Sequence, residues 1–401
     1  MRQVGTLVVT STEMYLAPPP AAPELDSHGL RERARWQWRL GDPGDPLSDL
    51  CLFLADQGIP VDDLARPGGA ARPGAAFGAA VFVSAAASAC AIGAPPGRAT
   101  PAPAVPDIVA IAYDRTRRSV PTPTGTFTRK SEWRVGHWTP SWTSGQHADA
   151  VDAVRAAIAR GDVYQANVVG HSRAPYHGEP DSALNAVAGL AGARYGGALA
   201  GPGWAIATAS PETLVAVAAG RASTRPIKGT RPATAAGRAE LLASAKERAE
   251  HIMIVDLERN DLAAVARTGS VVVDELFTVR RWCDLWQAES VVTAALADGV
   301  GLAELLRALA PGGSVTGAPK RAALAQIAAL EPVGRGASMG AIGWISPGQL
   351  DLGLSIRTVA VDATHLHLWA GGGITWDSEP AAEVAEAAAK AAPIMAALAA
   401  G

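Results

Sequence analysis

One lysine stands out among the residues of this sequence that could act as nucleophiles. Lys228 lies in Pro226-Ile227-Lys228-Gly229-Thr230, in a chain whose 35 Lys and Arg residues include only five lysines. A buried amine can lose its proton and act as a nucleophile, whereas a guanidinium stays charged. Taken alone, Lys228 is also consistent with an ordinary surface lysine. The Pro and Gly-Thr around it favour a fixed loop that aims the amine into a site.

Two further single residues could serve such a lysine. Glu212 follows Ser210-Pro211 at the junction of two predicted strands, and a carboxyl group near an amine can act as its general acid or base. A lone carboxylate in a strand connection is more often a turn residue, so spacing leaves both roles open. Arg357 falls on a predicted strand, where an inward-facing arginine is costly unless it meets an anion.

Two acidic pairs occur on predicted helices. Glu247 and Glu250 are three residues apart, and Glu383 and Glu386 repeat that spacing, with Lys390 four residues further on. Residues at these spacings share a helix face. Two such faces opposite each other would favour a cation between them, and Mg²⁺ typically takes one or two protein carboxylates plus substrate oxygens and water. Each pair taken alone more often indicates a solvated helix face.

Two glycine-rich segments predict tight turns with free backbone N–H groups. Pro311–Lys320, which contains Thr316, leads into a predicted helix with Pro319 near its first position, a geometry that can bind an anion. It is not a Walker A loop, because Ala318 follows Gly317. Gly371-Gly372-Gly373 follows a predicted strand ending at Ala370 and is a second candidate. An ordinary tight turn explains either segment equally well.

Composition excludes several classes of function. The net charge is −3 with no basic run, which argues against nucleic-acid binding. Cys51, Cys90 and Cys283 form no CxxC pair, which indicates a reducing compartment and argues against zinc. No secretory signal is visible, and the uncharged stretch 73–97 is too weakly apolar for a membrane span. We therefore expect a cytoplasmic protein that binds neither nucleic acid nor membranes.

Hydrophobic periodicity predicts a mixed chain in which strands often follow one another directly, as in antiparallel α+β folds. Helices are expected at 148–160, 237–261, 301–310, 319–330 and 380–399, and strands at 108–113, 163–169, 204–209, 213–218, 270–273, 340–346, 353–361 and 365–370.

Over about residues 108–401 the ordered motifs resemble the chorismate-utilising enzymes. They are Asp162–Asn167, Ala209–Glu212, Pro226–Arg231, Lys246–Asp261, Pro311–Lys320, Gly343–Thr358 and Ala370–Ile374. The resemblance implies an α+β fold in which two antiparallel sheets form a sandwich with helices outside, and a site in the cleft between the sheets. Residues 108–401 would be the chorismate-binding catalytic core, and residues 1–107, which match loosely, would complete the sandwich.

The resemblance also implies a reaction. A lysine before Gly229-Thr230 is typical of the aminodeoxychorismate synthase component I branch, whereas anthranilate, isochorismate and salicylate synthases usually have alanine there. Lys228 would attack C2 of chorismate and displace the C4 hydroxyl, and ammonia would then add at C4 to give 4-amino-4-deoxychorismate. Glu212 would be the general acid/base. Gln165 stands where isochorismate and salicylate synthases have a lysine that activates water, which argues against water as the nucleophile.

The family pattern further implies a Mg²⁺ cofactor and a set of chorismate contacts. Glu250 and Glu386 match the metal ligands, with Glu247 and Glu383 nearby or holding metal-bound water. The implied substrate contacts are Thr230, Thr316, Arg357, Gly371, Gly372, Gly373, Lys390 and Gln287. Gln287 departs from the family, which usually has a histidine there, because glutamine can donate a hydrogen bond but does not titrate near neutral pH.

Two questions about the reaction stay open at this point. The sequence has no Gly-x-Cys-x-Gly elbow, so ammonia would come from a separate glutamine amidotransferase subunit or from solution. Synthesis of anthranilate or of 2-amino-2-deoxyisochorismate, with nitrogen at C2, is the alternative reaction, and Lys228 opposes it by filling the space near C2. A non-catalytic paralogue with a binding role is the alternative outside catalysis, and only the Gln287 change supports it.

Overall fold

A computed structural model describes residues 29–66, 73–115 and 133–400. The strands within them are β1 Leu30–Trp38, β2 Gly78–Val83, β3 Ile108–Arg115, β4 Arg134–Val135, β5 Thr139–Pro140, β6 Gln165–His177, β7 Tyr195–Gly201, β8 Trp204–Ser210, β9 Thr213–Ala218, β10 Arg221–Arg225, β11 Ile227–Pro232, β12 Val272–Trp282, β13 Leu285–Ala295, β14 Gly317–Ala318, β15 Ala341–Ser346, β16 Gln349–Leu354, β17 Thr358–Val361 and β18 His365–Ile374. The helices are α1 Pro46–Asp56, α2 Ala85–Ala91, α3 Ser144–Ala159, α4 Asp181–Ala188, α5 Ala235–Ala243, α6 Ala245–Ala263, α7 Leu302–Leu309, α8 Lys320–Leu330 and α9 Pro380–Ala400.

The described strands form two antiparallel sheets, which confirms the predicted fold class. The larger sheet has the order β1-β3-β2-β15-β16-β9-β10-β13-β11, with β12 also paired to β13. The smaller sheet has the order β14-β6-β18-β17-β8-β7, with β4 and β5 also paired to β6. Strands β1 and β2, which precede residue 108, are members of the larger sheet.

The main hydrophobic core lies between the two sheets. Val215 and Leu352 of the larger sheet belong to the same buried cluster as Ile206 and Trp369 of the smaller sheet. Removing this shared apolar surface from water is the main driving force that holds the two sheets face to face. No helix in the described part of the chain is long and apolar enough to cross a membrane.

A buried ion pair fixes the backbone on one side of the space between the two sheets. Arg335 and Glu331 lie 2.7 Å apart (Nη2 to Oε1), and both side chains are less than a tenth exposed. Glu331 accepts the Val169 N–H of β6 at 3.0 Å, while Arg335 donates to the carbonyl oxygens of Val315 at 2.6 Å and Asn167 at 3.2 Å. The end of α8 is thereby tied to β6 and to the turn before β14.

Three local predictions were wrong. The predicted helix 237–261 is two helices, since the Ser244 side chain accepts the Glu247 N–H at 3.2 Å and starts α6 anew. The predicted strand 353–361 is interrupted, and Arg357 lies between β16 and β17 with a left-handed φ of 52°. Gly371–Gly373 is not a turn after a strand, because β18 continues through Ile374.

Candidate active site

A cavity that is partly open to solvent lies between the sheets and is closed at its sides by α6 and α9; the empty space there, including the solvent at its mouth, is about 900 Å³. The structure brings almost all of the predicted site residues to its wall: Glu212, Lys228, Thr230, Glu247, Glu250, Gln287, Arg357, Gly371, Gly372, Gly373, Glu383, Glu386 and Lys390. Thr316 alone among the predicted residues is not on this wall.

Lys228 enters the cavity from β11. A register shift occurs between Lys228, opposite Ala288, and Thr230, opposite Gln287, and Gly229 between them has a left-handed φ of 73°. Glycine adopts that conformation without steric cost, so the strand bulges there and re-aims the neighbouring side chains. Burial lowers the pKa of the Lys228 amine, opposed chiefly by the charge of Glu250. A lowered pKa increases the fraction of neutral, nucleophilic amine.

Glu212 lies at the start of β9 and is almost completely buried. Its carboxylate accepts the Ser314 hydroxyl at 2.6 Å and the Ile227 N–H at 3.4 Å. Burial raises the pKa of Glu212 to about 7, against the hydrogen bond from Ser314 and the charge of Lys228. A carboxyl group with this pKa can both donate and accept a proton near neutral pH.

Two acidic pairs face the cavity from α6 and α9. Burial and the charge of Glu250 raise the pKa of Glu247, while Arg231, 3.0 Å away, opposes them. Burial would also raise the pKa of Glu386, but the ion pair with Lys390 at 2.7 Å and the charges of Lys228 and Arg357 together outweigh burial and lower it.

The carboxylates fit a weakly held divalent cation. In the described residues no three His, Cys, Asp or Glu side chains converge closely enough to form a metal cage. Mg²⁺ does not need one, because it is usually held by one or two carboxylates together with substrate oxygens and water. The charges on Glu250 and Glu386 contribute to raising the pKa of Glu247, and this mutual repulsion is what a cation between α6 and α9 would relieve.

Arg357 and Lys390 provide positive charge beside the carboxylates of α9. The Arg357 guanidinium is buried, lies 4.3 Å above the Trp282 ring and donates to the Lys390 carbonyl oxygen at 3.0 Å. Burial lowers the pKa of Arg357 to about 10, and the charge of Glu386 opposes the shift. A buried guanidinium held by an aromatic ring and a neutral carbonyl is suited to a substrate carboxylate.

The three glycines of β18 leave room for the side chains of the site. A Cβ atom at Gly372 would lie 3.0 Å from Glu383 Oε2 and 3.7 Å from Lys390 Nζ. One at Gly373 would collide with the Lys228 amine, and one at Gly371 would collide with the Val168 carbonyl oxygen. The glycines contribute by being small, within a strand, and not by forming an anion-binding turn.

The Pro311–Lys320 segment positions a residue that the motif pattern did not single out. Ser314 lies in a 3₁₀ turn at Gly313–Val315 and donates to Glu212. Thr316 is fully buried, and its hydroxyl donates to the Gly312 carbonyl oxygen at 2.8 Å, so it braces the turn instead of facing the cavity. The sequence feature that could have pointed to Ser314 as a site residue is its hydroxyl side chain within a glycine-rich turn.

Comparison with known proteins agrees with this geometry. A profile of chorismate binding enzymes matches residues 108–396. The chain belongs to this family. It is 39% identical over 268 residues to aminodeoxychorismate synthase component 1 of Klebsiella aerogenes, and the matched region covers 65% of this chain and 58% of that protein. It is also 39% identical over 251 residues to an anthranilate synthase component 1 of Haloarcula marismortui, where the matched region covers 61% of this chain and 51% of that protein.

The chain spans little more than half the length of these curated relatives. Among solved structures, anthranilate synthase component I from Streptococcus pneumoniae has a TM-score of 0.72, at 23% identity, over 96% of this chain and 95% of that one. At that identity the likeness concerns the fold. The family match over residues 108–396 confirms the predicted resemblance to chorismate-utilising enzymes.

Proposed function

We propose that this chain converts chorismate and ammonia into 4-amino-4-deoxychorismate, as an aminodeoxychorismate synthase component I. The observation that carries the proposal is the Lys228 amine in the cavity, near a carboxyl group whose pKa is about 7. The nearby carboxylates Glu250 and Glu386 are each engaged by another lysine, at 3.8 and 2.7 Å. The amine is thus left available for bond formation.

The reaction would proceed by two displacements. The Lys228 nitrogen forms a bond to C2 while the ring double bond shifts and the C4–O bond breaks, and Glu212 protonates the departing hydroxyl so that water leaves. Ammonia then bonds to C4, the double bond shifts back, and the C2–N bond to Lys228 breaks. The sum is chorismate plus ammonia giving 4-amino-4-deoxychorismate plus water. Burial of Glu212 serves the first step, because an ordinary exposed glutamate is ionised at neutral pH.

The other residues of the cavity would bind and orient the substrate. Arg357 would receive one chorismate carboxylate, and Lys390, which donates to the Gly371 carbonyl at 2.9 Å, would hold the nearby wall in place. Glu250 and Glu386 would hold Mg²⁺, with Glu247 and Glu383 nearby. When bound, the cation would neutralise a second substrate carboxylate.

The main alternative adds nitrogen at C2, as in anthranilate or 2-amino-2-deoxyisochorismate synthesis. Relatives named for both activities match at the same identity, so the choice rests on Lys228. The purified chain should be incubated with chorismate, Mg²⁺ and ammonium. The two amino products are isomers, so they are distinguished by NMR and by conversion with a lyase to para-aminobenzoate or to anthranilate. A 2-amino product, or no turnover at all, would contradict the proposal.

We further propose that ammonia reaches this site, in the cytoplasm, from a separate glutamine amidotransferase. Ammonia is almost wholly protonated at neutral pH, so the total ammonium concentration needed for half-maximal turnover should fall as the pH rises towards 9. A partner that releases ammonia within a closed path would remove that dependence. The test compares glutamine with ammonium for the pure chain. Product formed from glutamine without a partner would reveal a hydrolytic site in this chain and contradict the proposal.

A further inference from the structure

A buried glutamine behind the cavity wall has no partner. Gln165 begins β6, its side chain is fully buried, and neither its Oε1 nor its Nε2 atom has a hydrogen bond within the described residues. Leaving a buried polar group unpaired destabilises the folded state, because the group loses its hydrogen bonds to water and gains none in return. Buried polar groups in native proteins nearly always have hydrogen-bond partners. An unpaired buried amide beside a candidate active site therefore indicates a functional role for that amide.

The neighbour of this amide is the Lys228 amine. A Cβ atom placed on Gly373 would meet two groups first. They are the Lys228 nitrogen and the Gln165 amide, whose Nε2 and Cδ atoms would lie 2.8 and 3.1 Å from that Cβ atom. The amine and the amide nitrogen thus both approach the same point above Gly373. A half-turn of the amide exchanges its nitrogen and oxygen. Because neither atom has a partner, no existing hydrogen bond opposes that turn.

We infer that Gln165 is a positioning residue, whose amide oxygen accepts an N–H of Lys228 and turns the lone pair of the amine towards the cavity. This inference rests on the proposed function, in which that lone pair attacks C2. A nucleophilic amine needs an acceptor for its N–H that fixes its direction without stabilising the ammonium form. An amide oxygen meets both needs, whereas a carboxylate in contact would favour the charged form.

The charged groups already around Lys228 do not provide this contact. Those with an electrostatic influence on it, or it on them, are Glu212, Glu250, Glu386, Lys390 and His251. Glu212 is bonded to Ser314, Glu250 accepts the Thr375 hydroxyl at 2.9 Å, Glu386 is paired with Lys390, and His251 lies 2.6 Å from the Ser290 hydroxyl. Among the described residues near the cavity, Asn167 Oδ1 and Gln165 Oε1 are both buried and unpaired, and it is the Gln165 amide that approaches the same point above Gly373 as the Lys228 amine.

The first test measures Lys228 without substrate. Full-length wild type, Gln165→Glu and Gln165→Leu are treated with cyanate in chelator, and peptide mass spectrometry gives the labelling of Lys228 relative to the half-exposed Lys246. An opposite charge in contact raises an amine pKa by about 1–3 units. Gln165→Glu should therefore lower the labelling ratio roughly tenfold or more at pH 7, with recovery at higher pH. An unchanged ratio at every pH in the folded variant would overturn the inference.

The second test separates positioning from fold. Gln165→Leu keeps the volume and removes the acceptor, so kcat should fall roughly ten- to hundredfold while KM for chorismate stays nearly constant. Gln349→Leu, which removes an exposed amide on β16, is the matched control and should behave as wild type. Unchanged kcat in Gln165→Leu would overturn the inference. Because cyanate labelling needs no chorismate, a labelling shift without 4-amino product would reject the proposed function and leave the contact between Gln165 and Lys228 standing.

Discussion

Replacing Glu212 by glutamine should make the protein more stable and nearly inactive. The folded carboxyl group has a pKa of about 7 against an ordinary 4.5, mainly because it is buried. A difference of about 2.5 units at about 1.4 kcal/mol each corresponds to roughly 3–4 kcal/mol. The folded state holds the Glu212 proton more tightly than the unfolded state, so burial of Glu212 lowers the free energy of unfolding as the pH rises. Below pH 4.5 both states are protonated and nothing is lost. Between pH 4.5 and 7 only the unfolded chain ionises, so stability falls as pH rises, and above pH 7 the whole penalty is present.

Glutamine never ionises, so Glu212→Gln should unfold at a higher urea concentration than wild type at pH 8, by roughly 3–4 kcal/mol, and should differ little at pH 4.5. Urea titrations followed by tryptophan fluorescence at both pH values measure this directly. Asp149→Asn, which neutralises an exposed carboxylate on α3, is the control and should show no such gain. Turnover should fall by about a hundredfold or more. A variant less stable than wild type at pH 8 would refute the reasoning.

Three other substitutions test separate contacts. Ser314→Ala removes the hydrogen bond that lowers the pKa of Glu212, so the alkaline limb of the rate profile should move up by about one unit; a shift to lower pH would contradict this. Arg335→Met leaves Glu331 buried and unpaired and should destabilise the fold by about 3–5 kcal/mol, whereas adding Glu331→Met should recover much of the loss, as chemical denaturation would show. Glu386→Gln should raise the Mg²⁺ concentration for half-maximal activity with the fold intact by circular dichroism, and full activity in excess chelator would rule out the metal.

The elements with a clear helical period or a short continuous apolar run could be predicted from sequence. The helix predicted at 319–330 is α8 Lys320–Leu330, and the one at 380–399 is α9 Pro380–Ala400. The strands at 204–209 and 213–218 are β8 and β9, nearly to the residue. Their hydrophobic patterns are fixed by burial on the same faces that the sequence displays.

The misplaced features depend on contacts between distant segments. Arg357 has a left-handed φ between two strands because its side chain is held over Trp282, a residue 75 positions earlier. The glycines 371–373 look like a turn in sequence, yet they lie in a strand because β6 pairs along their whole length. No local pattern reports either contact.

The candidate site was predictable in its members and not in its arrangement. The motif residues could be assigned to one cavity because their order along the chain resembles that of the chorismate-utilising enzymes, whereas their spacing alone left each role open. Thr316 could not be separated from Ser314 by pattern, because which hydroxyl of the turn faces Glu212 depends on the backbone at Gly313–Val315. The unpaired amide of Gln165 becomes visible only when the strands that cover it are in place.

The central claim is that Lys228 forms a bond to the substrate. Wild-type protein should be incubated with chorismate and Mg²⁺ in the absence of ammonia, quenched, and digested for peptide mass spectrometry. We predict an adduct of chorismate minus water on Lys228 that disappears when ammonium is added and is absent from Lys228→Ala. Formation of 4-amino-4-deoxychorismate at full rate by Lys228→Ala would contradict the claim.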